Sequence, residues 1–185
     1  MIYYIPIFLM HFCTIVFSDR NLKFFILLTL LFYLFFLSAF KYKVGGDYAN
    51  YEIIYYGILN GKLNSDPGYT FLVYLSDLVF GAYQGVHVFF GLINSLALFI
   101  FIRRCKPTYY AQIFLIIFYF IIGSFGFLRQ GCALSLILLF ETYRNIKIKY
   151  IFVIASSLMH LSSAIYFYVY YLFLYYDYKH QEFKF

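Results

Sequence analysis

Uncharged apolar stretches recur along this chain, separated by short polar joints. Met1–Ser18, Phe24–Phe40, Leu78–Ile102, Pro107–Leu128 and Tyr150–Tyr176 each lack Asp, Glu, Lys and Arg. A membrane span takes about 20 mainly apolar residues, with a range of roughly 17–25. Backbone polar groups in lipid must be satisfied within the segment, so these runs predict helices. The shorter run Gln130–Phe140 becomes a span if it starts near Phe125 and carries Arg129 in its first turns.

Between the second and third long runs the pattern changes. Tyr69–Phe80 reaches only about 18 Å at 1.5 Å per residue, well short of a hydrocarbon core of about 30 Å. Thr70, Tyr74 and Asp77 fall on one face, and Phe71, Leu75 and Leu78 on another. That spacing predicts an amphipathic helix lying along the membrane surface. Asp66 suits its N-cap and Pro67 its first helical position. The expected architecture is all-α: a polytopic bundle with spans at about 2–18, 24–40, 86–102, 108–123, 125–140 and 150–176. An outer segment, 41–85, carries interfacial helices, and residues 1–185 form a single membrane domain. The last run is long, so it either tilts or breaks near His160, among its serines.

Composition supports this class: 64% of the residues are hydrophobic and 12% charged. A soluble domain has about 45–50% apolar and about 25% charged residues, so a soluble enzyme domain is excluded. The basic residues cluster at Arg20/Lys23, Arg103/Arg104/Lys106 and Arg144/Lys147/Lys149. The positive-inside rule sets all three in the cytoplasm, which puts the N-terminus and segment 41–85 outside. That segment holds four of the eight acids, Asp47, Glu52, Asp66 and Asp77. The net charge of +6 then reflects topology and points to no nucleic acid. The first run lacks a basic lead and a small-residue cleavage site, so it reads as a retained span. Cys13, Cys105 and Cys132 show no CxxC spacing, so neither a disulfide framework nor a metal site is expected.

Four polar patches stand out against the apolar background. In Gly45-Gly46-Asp47-Tyr48-Ala49-Asn50-Tyr51, Asp47 sits where the chain leaves the second span; it suits a general base, a cation ligand or a helix cap. Asp66-Pro67-Gly68-Tyr69 reads as a turn and helix start. Arg129, followed by Gln130, lies at the outer end of the fifth span. Its planar fork suits phosphate or carboxylate, or it anchors among headgroups. Ser156, His160 and Ser163 make one polar stripe at helical spacing. An ionisable residue inside a span marks a functional hypothesis, while the serines also suit close helix packing. His11, His87 and His180 sit near segment ends and are given no role.

In this order the four patches resemble the EpsG family of bacterial exopolysaccharide polymerases, related to the O-antigen (Wzy-like) polymerases. The family pattern reads here as Gly45-x-Asp47-Tyr48-x-x-Tyr51, Asp66-Pro67-Gly68-Tyr69, Leu128-Arg129-x-x-x-Ala133 and His160-Leu161-Ser162-Ser163-Ala164. The last segment has one serine more than the simplest form. The resemblance covers about residues 20–170 and implies a GT-C-like membrane glycosyltransferase for exopolysaccharide, capsule or O-antigen synthesis. It implies longer relatives with further spans after the His segment, so this chain is expected to be an N-terminal part. The implied donor is a polyprenyl-diphosphate-linked oligosaccharide at the outer face of the bacterial cytoplasmic membrane, with other polysaccharide-assembly membrane proteins as partners and no cofactor.

On that reading Asp47 acts as base, Arg129 stabilises the diphosphate leaving group, and His160 orients substrate. Tyr48, Tyr51, Tyr69, Gln130 and Ser163 are expected to contact substrate, the tyrosines stacking on sugar faces or serving as an interfacial belt. The alternatives are a flippase or transport component for the same lipid-linked sugars, an inactive membrane subunit, and, on His160 alone, a membrane acyltransferase.

Overall fold

Long runs of Leu and Phe leave the backbone no polar partner but itself, and helices result. The computed structural model describes residues 20–43, 47–106, 112, 115–116 and 127–182, and among them there is helix but no strand. The helices are α1 (Arg20–Ala39), α2 (Tyr48–Leu59), α3 (Pro67–Phe80), α4 (Gln84–Cys105), α5 (Leu128–Thr142), α6 (Ile146–Met159) and α7 (Ser163–Glu182). Two of them, at Asn21–Ala39 and Gln84–Cys105, are long and apolar enough to cross a membrane. The expected spans at 2–18 and, apart from Gln112, Leu115 and Ile116, at 108–123 lie outside the described residues. At 15 residues α5 rises only about 22 Å.

Helix α4 is the centre of the arrangement, packing against α1, α3 and α5, while α6 packs on α5 and α3. Leu30, Leu31 and Leu34 of α1 meet Leu98 and Ile102 of α4 in one apolar cluster. A second cluster joins the tyrosines of α2 and α3 to Val86 and Phe90 of α4 and to Leu128 and Cys132 of α5. These contacts set α4 and α5 side by side in the same direction. The Ser135 hydroxyl of α5 lies 2.7 Å from Asn94 Oδ1 of α4, pinning the register.

Local signals explain the joints. The Gln84 side-chain amide donates to the carbonyl of Ala39, meeting an acceptor left open at the end of α1. Gly81, at φ 61°, closes α3 in the left-handed region that favours glycine. Asn145 caps α6 by accepting from the backbone N–H of Lys147 at 2.9 Å.

The long last run is broken. Helix α6 ends at Met159, His160 is extended (φ −159°, ψ 115°), and α7 begins at Ser163. Ser156 Oγ bonds back to the Val153 carbonyl, a local competition by which serines loosen helices. The expected stripe of Ser156, His160 and Ser163 therefore does not exist as one helical face: Ser156 and Ser163 belong to different helices and His160 to the break. In α3 the expected helix forms, but a third face turns inward: Tyr69, Leu72, Val73 and Ser76 are buried. Phe71 and Leu78 of the expected apolar face stay exposed.

Candidate functional site

Arg129 stands in the first turn of α5, where a cation opposes the helix dipole. Its partners offset that. Nη1 donates to Asp66 Oδ2 at 2.8 Å and to Ser65 Oγ at 3.1 Å. The guanidinium carbon also lies 5.6 Å from the ring centre of Tyr51 and 5.8 Å from that of Tyr69, within the range of cation–π attraction.

Asp66 holds the N-cap position of α3 with Pro67 behind it, as the sequence predicts, yet its side chain makes no capping hydrogen bond. The carboxylate is turned to Arg129 instead. Gly68 explains how it gets there. A Cβ on Gly68 would meet the backbone of Leu158 and Met159 at 3.0 Å, so glycine allows the start of α3 to rest on the end of α6. That contact carries His160 to the site, with Nδ1 3.5 Å from Asp66 Oδ2. The distance exceeds a hydrogen bond and gives a charge attraction when the ring is protonated. His160 Nε2 lies 3.3 Å from the Gln130 side-chain nitrogen.

Asp47 occupies the N-cap of α2, again without a side-chain capping bond. Together with Asn50, Tyr51, Ile53, Ile54 and Arg129 it lines a hollow of about 440 Å³. Asp47 and Arg129 thus border one space, but the carboxylate bonded to Arg129 is Asp66.

The remaining expected residues divide. Tyr51 lines the hollow. Tyr69 is fully buried and donates to the Tyr51 carbonyl at 3.4 Å. Tyr48 is buried and stacks flat on His87, with ring centres 5.2 Å apart. Neither Tyr48 nor Tyr69 borders the hollow. Ser163 is buried, and its hydroxyl has no hydrogen-bond partner among the described residues. Burial raises the Tyr69 phenol, helped by nearby Tyr51. Tyr55 is pushed up to about 12 by burial and by its bond to Asp77. Both are neutral hydroxyls at physiological pH. Among the described residues no three His, Cys, Asp or Glu side chains are arranged to hold a metal ion.

Sequence reasoning missed Ser65, read Asp66 only as an N-cap and turn residue, and passed over His87. His87 is fully buried against Tyr48 and Tyr83. Asp66 and Arg129 are 63 residues apart. The one local hint was an acid at the N-cap of α3 and a base in the first turn of α5, neither with an opposite charge within three residues in sequence.

A model of the EpsG family matches residues 23–184. No curated protein and no solved structure matches the chain.

Proposed function

The chain belongs to the EpsG family, which makes it a membrane protein of polysaccharide biosynthesis, and from that premise we propose that it acts as a polymerase of lipid-linked sugar repeat units. The donor is a polyprenyl-diphosphate-linked oligosaccharide and the acceptor a sugar hydroxyl on a second lipid-linked unit. The acceptor oxygen attacks the anomeric carbon, the bond from that carbon to the diphosphate breaks, and the electron pair leaves on the diphosphate. The hydroxyl proton passes to a carboxylate.

The observation that carries this reading is the shared hollow with Asp47 and Arg129 on its border. Asp47 is the base, within reach of an acceptor hydroxyl seated there. Arg129 meets the charge that grows on the leaving diphosphate. Of the three tyrosines only Tyr51 borders the hollow, so contact with the sugar falls to it, although its ring is largely buried. Gln130 and His160, which stand next to each other beside Asp66, orient the substrate, and Ser163 supports the break that holds His160. The reaction belongs at the outer face of the cytoplasmic membrane. Parallel α4 and α5 fit a multi-pass chain, since two neighbouring helices that run the same way call for one crossing between them.

Deleting the gene and complementing with variants tests this. Wild type restores surface polysaccharide. Arg129→Ala and Asp47→Asn insert normally but yield no long polymer, and lipid-linked single repeat units accumulate. Normal chain length with impaired export in Asp47→Asn would favour transport over polymerisation. Normal polymer from well-expressed Arg129→Ala would remove Arg129 from the site.

A further inference from the structure

We infer that Asp66 is a resident counter-anion for Arg129, occupying the guanidinium in the empty site and competing with the diphosphate for it. The inference rests on the reading that Arg129 receives a diphosphate.

Three observations meet here. An aspartate at an N-cap ordinarily accepts from the backbone N–H groups of its own helix. Asp66 forgoes that bond and directs Oδ2 to Arg129 Nη1 at 2.8 Å. Ser65 adds its hydroxyl oxygen to the same nitrogen at 3.1 Å. One Arg129 nitrogen thus faces a carboxylate oxygen and a hydroxyl oxygen, much as it would face the oxygens of a bound phosphate. Arg129 borders the hollow at the same time, so the neutralising partner and the ligand space share one cation.

The guanidinium has a second hold that is independent of Asp66. It lies over the rings of Tyr51 and Tyr69 at 5.6 and 5.8 Å. Both rings are buried, and Tyr69 is tied to the α2 backbone through its hydroxyl. Removing the Asp66 charge therefore leaves the cation in position and unneutralised. An anion entering the hollow no longer has to displace a carboxylate, and it binds more tightly. In the native site Asp66 works the other way. It weakens the hold on a free diphosphate and so speeds release of the lipid diphosphate product. A purely structural Asp66, serving only to start α3, would predict weaker or unchanged binding on its loss.

Inorganic diphosphate binding to the detergent-solubilised full chain, followed by titration calorimetry, reads this directly. Asp66→Asn is expected to bind at least threefold more tightly than wild type, and Asp66→Glu within twofold of it. Asp66→Ser keeps a capping oxygen and drops the charge; it should show the same tightening and is read where the asparagine variant is not recovered folded. Asp47→Asn controls for the loss of one charge at the same hollow and should tighten binding less than Asp66→Asn. In an Arg129→Ala background, which itself binds at least tenfold more weakly, Asp66→Asn should change affinity less than twofold. Unchanged or weaker binding in both Asp66→Asn and Asp66→Ser, with Arg129→Ala still impaired, overturns the counter-anion role and leaves the proposed function standing. Equal binding by wild type and Arg129→Ala overturns both.

Discussion

Gly68 shows how one missing side chain can assemble a site. With hydrogen alone at that position, α3 starts directly on the backbone of Leu158 and Met159, and Asp66 comes within 3.5 Å of His160. Gly68→Ala adds a methyl where only backbone stands opposite, and backbone cannot rotate away. The expected cost is about 1–3 kcal/mol from overpacking, which outweighs the gain of up to about 1 kcal/mol in helix propensity. A lower melting temperature in detergent, together with loss of polymer in the complementation assay, would bear this out. A more stable Gly68→Ala protein would show that the contact is slack. The motif residue was visible in the sequence as part of a turn. Its purpose was not, because the atoms it admits lie about ninety residues further along the chain. The same limit hid the commitment of Asp66: an Asp-Pro pair looks alike whether its carboxylate caps a helix or meets a distant arginine.

At the scale of elements, α4 and α5 decide where the site sits. Arg129 is held at one end of α5, and the register of α5 against α4 is set partway along by Ser135 and Asn94. The Ser135 hydroxyl lies within hydrogen-bond distance of both Asn94 Oδ1 and the Gly131 carbonyl, at 2.7 and 3.0 Å. Polar pairs between helices in apolar surroundings contribute about 0.6 kcal/mol on average and up to roughly 1.7. Ser135→Ala is therefore expected to lower stability by about that much while keeping the fold. Its effect on the site should be a loosening of Arg129, read as a modest drop in diphosphate affinity. An Asn94→Ala, Ser135→Ala double variant no worse than either single change would identify them as one coupled pair. Both residues lie within apolar runs, and periodicity alone gave no reason to match one with the other. The break at His160 was better signalled. Four serines around one histidine in a long apolar run are a visible weakness in a helix, and the backbone yields there.

For the molecule as a whole, charge divides the two ends of the bundle. Arg129, Asp66, Asp47 and His160 gather at the end where α4 and α5 begin. Arg103, Arg104 and Lys149 gather at the other, lying over Phe24, Tyr143 and Phe140 at 4.9, 4.3 and 4.4 Å. By the positive-inside rule the site is expected at the outer surface. In a background with Cys13, Cys105 and Cys132 replaced, single cysteines at Asn50 and Ser65 should react with a membrane-impermeant thiol reagent on intact cells. A cysteine at Lys147 should react only after the membrane is opened. The reverse pattern would invert the topology and put the site in the cytoplasm. What the sequence determined by itself was helical character, the apolar runs and the segregation of charge, because each follows from local composition and from the requirement that backbone groups be satisfied in lipid. Only the tertiary structure decided which acid meets Arg129, which tyrosines are buried, and that His160 joins them, because ion pairing and burial depend on helices that meet far apart in the chain.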